Sequence, residues 1–168
     1  MHRRIRRLGS IVAVALLSAA VALGAATSVQ AASATFKAQL SGAQEVGPVD
    51  TRARGVATFK LSNDGTELSY RLNVANIENV LMAHIHLGDT DENGPVVAWL
   101  YPSAPPPQLI EGRTQGVLAT GTITSADLVG PLAGMTLDDL LAAMSAGGTY
   151  VNVHTTQNPG GEIRGQID

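Results

Sequence analysis

From Thr35 onward, the chain consists of short runs of alternating apolar and polar residues, each ended by residues that favour turns. A period of two turns every second side chain to the same face of an extended strand, so each run predicts a β-strand with one buried face. The clearest turn is Asn63-Asp64-Gly65, because Asp-Gly supplies the positive φ angles that tight hairpins require. The pattern therefore predicts an all-β domain.

The runs predict about eight strands and one helix. Thr136 precedes Leu-Asp-Asp-Leu-Leu-Ala-Ala-Met, and its capping hydroxyl with the acidic first turn indicates a short helix. Together these elements favour a Greek-key β-sandwich or a flattened barrel with one short helical crossover. The predicted strands are Thr35–Leu40, Gly55–Leu61, Glu67–Val74, Val80–Leu87, Pro95–Tyr101, Gly116–Thr124, Tyr150–Thr155 and Glu162–Ile167.

The first 31 residues form a separate segment. Arginines are concentrated in Met1–Arg7, and an apolar run extends from Leu8 to about Ala26. Small residues follow, with Val29-Gln30-Ala31 as a cleavage site and Ala32-Ser33-Ala34 as a second one. This three-part pattern is typical of a secretory signal peptide, and an uncleaved membrane anchor is the alternative. We therefore expect an exported protein that is secreted, periplasmic or held at the cell surface.

The remaining domain, residues 35–168, is acidic and contains no cysteine. It carries seven of the eleven Lys and Arg residues and all fourteen Asp and Glu residues, a net charge of 7 − 14 = −7. We expect no nucleic-acid partner, because phosphate binding requires clustered basic residues, and no membrane partner after signal cleavage. Without disulfides, the fold depends on packing, hydrogen bonds or a bound ion.

Three histidines lie near the ends of predicted strands. His84 and His86 are two residues apart, so strand geometry turns both to one face, away from Ile85. His154 likewise faces away from its apolar neighbours Val151 and Val153. If the two strands are neighbours, the three imidazoles converge on an outer sheet surface.

Imidazole nitrogen is a ligand suited to copper and zinc, and three of them leave a coordination position open. His84, His86 and His154 are therefore a candidate metal site. Two alternatives remain open: a hydrogen-bond network without a metal, and direct contact with a partner. No catalytic nucleophile or phosphate-binding motif is evident.

Other polar and aromatic residues are expected to have structural roles. Glu162 and Arg164 share a strand face, which predicts an exposed ion pair. Glu45 follows a predicted bulge, where polar side chains usually satisfy backbone groups. Trp99 and Tyr101 share a face and are expected to pack.

Several segments together resemble the CHRD (chordin-type) domain family. They are Leu40-Ser-Gly-Ala-Gln-Glu-Val46, Ala83-His-Ile-His-Leu-Gly88, Tyr150-Val-Asn-Val-His-Thr155 and Asn158-Pro-Gly-Gly-Glu-Ile-Arg-Gly165. The resemblance covers about Thr35 to Asp168, and it implies a β-rich extracellular module, usually without an assigned enzymatic activity.

A more distant likeness is to copper/zinc superoxide dismutases. His84-Ile-His-Leu-Gly-Asp89 is similar to a strand end of that fold. The likeness implies that His84, His86 and His154 bind copper and that Arg164 faces the open side of the site and guides an anion. The chain departs from that pattern because, apart from His2 in the predicted signal peptide, it has no further histidine to bridge to zinc, and it has no cysteine pair.

Three functional hypotheses follow. The first is an exported CHRD-type binding module that holds copper or zinc through the three histidines and contacts an extracellular or surface partner. The second is a copper-dependent enzyme similar to the dismutases. The third is a structural or adhesive domain without a metal.

Overall fold

The computed structural model describes residues 34–168, and the predicted signal peptide, residues 1–31, lies outside the described residues. Seven strands and one α-helix make up the domain. In chain order they are β1 Thr35–Ser41, β2 Arg54–Leu61, β3 Leu68–Leu87, β4 Val96–Tyr101, β5 Ile110–Ile123, α1 Leu137–Ser145, β6 Thr149–Thr155 and β7 Ile163–Gln166. The prediction of an all-β domain with one short helix is confirmed.

Five of the strands close into a barrel. The strands pair in the order β2-β1-β7-β6-β3, and β3 pairs with β2 to complete the ring. Every pairing is antiparallel. Strands β4 and β5 lie outside the ring, and each pairs with β3. Of the two predicted architectures, the structure has the barrel.

Strand β3 is a single element of 20 residues, where the sequence predicted the two strands Glu67–Val74 and Val80–Leu87. Asn76 and Asn79 have φ angles of 56° and 53°, in the left-handed region. Asparagine tolerates that region better than most residues. The strand therefore kinks between its halves without ending, so the described part of the chain has seven strands instead of about eight.

The two halves of β3 have different neighbours. Residues 68–75 pair with β2 after the predicted Asn63-Asp64-Gly65 turn, in register from Leu61↔Leu68 to Arg54↔Ala75. Residues 80–87 pair with β6. Because β6 carries His154 and β3 carries His84 and His86, this pairing positions the candidate site.

The barrel interior is filled by every second residue of the strands. On β3, Leu68, Tyr70, Leu72 and Val74 are all buried, as the alternation predicted. Ile85 of the second half also belongs to this apolar core. The side chains that point away from the core include the histidines.

Helix α1 begins where the sequence predicted. Thr136 and Asp139 form a capping box in which each side chain accepts a hydrogen bond from the other residue's backbone N–H. The Thr136 hydroxyl and the Thr136 backbone N–H both donate to the Asp139 carboxylate, and these two hydrogen bonds lower the pKa of Asp139. Leu137, Leu140 and Met144 are buried against the barrel. Within residues 34–168, no helix has the length and apolar character needed to cross a membrane.

Candidate metal centre

The three histidines lie on two neighbouring strands. In the antiparallel register between β3 and β6, Met82 pairs with His154 and His84 pairs with Asn152. His84 and His86 are on the face of β3 opposite to the core residue Ile85. Since directly paired residues share a face, His154 is on that same face. Adjacency of the strands, which alternation alone could not establish, brings the rings together.

The imidazoles form one compact cluster. Ring centroids are 5.0 Å apart for His84 and His154, 5.5 Å for His84 and His86, and 6.1 Å for His86 and His154. One nitrogen from each ring lies within 4.8 Å of the other two. Three points with that spacing lie within about 2.8 Å of a common centre, close to metal–nitrogen bonds of about 2.0 Å. The predicted convergence is confirmed.

The cluster is buried, where the sequence predicted an outer sheet surface. The exposed fractions are 2% for His84, 7% for His86 and 6% for His154. The Gly94 carbonyl contacts His86 and the Pro159 carbonyl contacts His154, so the segments that follow β3 and β6 both reach the rings. The expectation of exposure was wrong, because strand alternation gives the face of a residue and not what covers that face.

Backbone carbonyls fix two of the imidazoles. His86 Nδ1 is 2.9 Å from the Gly94 carbonyl oxygen, and His154 Nδ1 is 3.0 Å from that of Pro159. A carbonyl oxygen only accepts, so both Nδ1 atoms donate, and each Nε2 atom carries a lone pair. In metal sites, the histidine nitrogen that does not bind the ion commonly donates a hydrogen bond of this kind, and the bond orients the ring.

The histidines also contact one another. His84 Nδ1 is 3.2 Å from His154 Nε2, so in the metal-free protein His84 Nδ1 donates a hydrogen bond to the lone pair of His154 Nε2, and a bound ion would take the place of this contact. Among the described residues, the buried Nε2 atoms of His84 and His86 have no hydrogen-bond partner. Buried polar atoms are rarely left unpaired, so these nitrogens fit a site built to hold an ion.

Burial keeps the imidazoles neutral. It lowers the pKa of His84 to about 3, with the neighbouring His154 and His86 adding to the effect. It also lowers the pKa of His154 to about 4 and the pKa of His86, although the carbonyls that each ring contacts oppose these shifts. At neutral pH the cluster therefore offers neutral nitrogen donors, the protonation state that metal binding requires.

Two aromatic side chains border the cluster. The Trp99 ring meets His84 edge-on with 4.2 Å between centroids, and the Tyr150 ring stacks on His86 at 4.8 Å with planes 9° apart. Trp99 was predicted to be a packing residue, and its packing partner is a candidate ligand. The sequence contains no other tryptophan, so tryptophan fluorescence reports on this site alone.

Arg164 lies beside the cluster and is only 1% exposed. Its guanidinium is 3.4 Å from the centre of the Tyr150 ring. It donates hydrogen bonds to the carbonyl oxygens of Asp89 and Glu92 and to the Asn93 side chain. These contacts hold the segment between β3 and β4 over the site, and this is the role that the geometry gives Arg164.

Glu162 does not form the exposed ion pair predicted with Arg164. Its carboxylate, only 8% exposed, accepts hydrogen bonds of 2.8 Å from the Thr51 and Thr155 hydroxyls. The residue order was compatible with a pair, but the two side chains bond to different loops.

Glu45 is a neighbour of the site whose environment the sequence did not reveal. It is 6% exposed, and its carboxylate is 3.4 Å from Asn152 Nδ2. Burial raises the pKa of Glu45 to about 7, although Arg164 and Asn152 pull it down. Its place in Leu40–Val46, one of the segments that carry the CHRD resemblance, was the only available signal.

The structure thus defines an all-β domain with a closed five-stranded barrel and a buried cluster of three histidines. The cluster lies on the side of β3 and β6 that points away from the barrel core. The donor set fits copper or zinc. The model of the CHRD domain family matches residues 36–167, so the chain belongs to that family. No curated protein and no solved structure matches the chain.

Proposed function

We propose that this protein is an exported CHRD-type binding module that holds one copper or zinc ion through His84, His86 and His154. One observation carries the proposal: three buried, neutral imidazoles meet around a common point, and two of them have unpartnered Nε2 atoms. In a network that serves structure alone, most buried polar atoms are paired.

Export is supported by the sequence and by the family. Residues 1–31 have the three-part pattern of a secretory signal, and CHRD domains are typically extracellular. The working compartment would be the periplasm, the cell surface or the medium.

The donor set supports copper or zinc over harder ions. Neutral imidazole suits both metals, whereas calcium and magnesium prefer oxygen donors. The three ligands would hold the ion, while the Gly94 and Pro159 carbonyls would keep the Nδ1 protons of His86 and His154 in place. A fourth coordination position would remain for water or for a group from a partner.

Metal titration of the purified protein tests the proposal. We expect one copper or zinc ion per chain in calorimetry and native mass spectrometry. We also expect Cu(II) to quench the fluorescence of Trp99, because that ring contacts His84. Replacing His84, His86 or His154 individually by glutamine should weaken binding about 100-fold or more, because each removes one of three ligands.

Thr149→Val is the matched control. Thr149 is a buried residue of β6 whose hydroxyl has no partner among the described residues, and valine has nearly the same shape. This variant should bind metal like the unaltered protein. If the three histidine variants bind as tightly as the unaltered protein, the metal is held at another site. If the unaltered protein binds no metal, the protein is a structural or adhesive domain without a metal.

A superoxide consumption assay addresses the enzymatic alternative. Arg164 donates to the segment between β3 and β4, so we expect the copper-loaded protein to show no activity above that of free copper. Activity that disappears in His154→Gln and persists in Thr149→Val would establish a dismutase-like enzyme instead.

A further inference from the structure

The outer face of β1, β2 and the first half of β3 concentrates positive charge. Residues 34–168 contain seven basic and fourteen acidic residues, yet four of the seven basic ones, Lys37, Arg54, Lys60 and Arg71, are exposed on this face. None of its outward positions is acidic. These positions are Thr35, Lys37, Gln39, Ser41, Arg54, Val56, Thr58, Lys60, Ser69, Arg71, Asn73 and Ala75.

The strand register alternates cations with hydroxyl groups across this face. One cross-strand row contains Thr35, Lys60 and Ser69. The next row contains Lys37, Thr58 and Arg71. Adjacent strands are about 4.8 Å apart, so the backbones of the two outer cations in the second row are separated by roughly 10 Å. Each cation therefore has a hydroxyl on a neighbouring strand.

The two rows line a cleft of about 480 Å³, together with Phe36, Phe59 and Tyr70, whose rings pack in or against the core. Among its described lining residues, Asp168 alone is acidic, and its backbone pairs with that of Lys37 at the edge of the cleft. The large exposed apolar side chains, Val46, Leu109, Val117 and Met135, all lie elsewhere. The cleft thus combines positive charge, hydroxyl groups and a concave shape.

We propose that this cleft binds an acidic polysaccharide, whose carboxylate or sulfate groups pair with the three cations. The hydroxyls of the two rows would bond to the sugar. Such a polymer carries anionic groups at regular intervals along a chain of hydroxylated sugars. This pattern complements the cleft, in which the cations lie on different strands with hydroxyl groups between them. A membrane surface fits less well, because interfacial binding also requires apolar side chains that enter the lipid. The proposal presupposes export but not the metal site.

Binding of the purified protein to polygalacturonate and to dextran sulfate tests this inference, with unmodified dextran as the uncharged comparison. EDTA is present throughout, so the result does not depend on the metal. We expect binding to at least one acidic polymer at low salt, none to dextran, and loss of affinity as salt is added.

Charge-removing variants locate the surface. Lys37→Gln, Lys60→Gln and Arg71→Gln should each weaken binding by about 2- to 5-fold, as exposed ion pairs do. The triple variant should lose on the order of 10-fold or more. Arg52→Gln removes the same charge at an exposed residue outside the cleft, and it should leave binding unchanged.

Three results would overturn the inference. The first is failure to bind either acidic polymer. The second is a loss of affinity in Arg52→Gln equal to that in the cleft variants, which would mean that positive charge anywhere on the protein attracts the polymer. The third is binding of anionic phosphatidylglycerol vesicles, with neither polymer bound, which would identify a lipid surface as the partner.

Discussion

At the scale of single residues, the structure explains why three histidines remain uncharged at the pH of most extracellular environments. Removing an imidazolium from water is costly, and the cations of neighbouring rings would repel one another. His84 and His154 therefore have pKa values of about 3 and about 4 in the folded protein. In the unfolded chain, a histidine pKa is near 6.5. This difference has a measurable consequence for stability.

We predict that the metal-free protein loses stability as the pH falls from about 6.5 toward 4. Between the unfolded and folded pKa values of the histidines, the unfolded chain binds more protons, so the free energy of unfolding decreases on acidification. Glu45 acts in the opposite sense: its folded pKa of about 7 is above its ordinary value of 4.5, so its contribution is lost as the pH rises through 7. Three histidines outweigh one carboxyl, and the net effect is acid destabilisation.

Urea unfolding in EDTA at pH 5 and pH 7 measures this effect. Glu45→Gln is the control, since it removes the opposing contribution that Glu45 makes between pH 4.5 and 7 and should therefore make the acid-side loss of stability steeper. Equal free energies of unfolding at pH 5 and pH 7 in the unaltered protein would contradict the low histidine pKa values.

At the scale of elements, β3 connects the barrel wall to the histidine cluster. Its kink contains Asn76 and Asn79 in left-handed conformations. Asn79 is also held by its neighbours: its side-chain Oδ1 accepts from the Gly112 N–H at 2.8 Å, and its carbonyl accepts from the Thr156 N–H at 3.1 Å. The kink directs the second half of the strand toward β6.

We predict that Asn79→Val destabilises the protein by about 2–3 kcal/mol. A left-handed conformation costs a β-branched residue roughly 1–2 kcal/mol, and loss of the hydrogen bond to Gly112 adds about 1 kcal/mol. Asn73→Val is the matched control at a half-buried position of the same strand whose φ angle is not positive, where it should change stability little. Similar results for both variants in urea unfolding would show that the kink carries no such constraint.

The elements also show what the sequence could and could not predict. Alternation correctly placed His84 and His86 on one face, because that relation is local. The division of β3 into two strands was wrong, because Asn76 and Asn79 resemble turn residues and only the pairing with β5 and β6 holds them within a strand. Burial of the site depends on loops from elsewhere in the chain, which no local pattern encodes.

At the scale of the whole molecule, closure of the barrel depends on a close contact between β1 and β7. A Cβ atom added at Gly165 would overlap the Gln39 carbonyl oxygen and lie 2.7 Å from its carbonyl carbon. Both are backbone atoms that cannot move without separating the strands. Glycine at this position therefore lets the ring close.

We predict that Gly165→Ala destabilises the protein by about 1–3 kcal/mol, the usual cost of overpacking. Gly148→Ala is the control, because a Cβ there meets only the Ala143 carbonyl oxygen, at an ordinary 3.6 Å. Thermal unfolding of both variants measures the difference. A melting temperature for Gly165→Ala equal to that of the unaltered protein would show that β1 and β7 can separate without cost.

The segments that cover the three imidazoles would also control how fast a metal ion exchanges. Arg164 anchors the segment after β3, and Asn152 and His154 contact carbonyls of the segment after β6. An ion could then enter or leave only when these segments open. The rate of metal exchange would therefore be set by the opening of the segments and not by diffusion. An ion taken up during folding would therefore exchange slowly with ions in the surroundings.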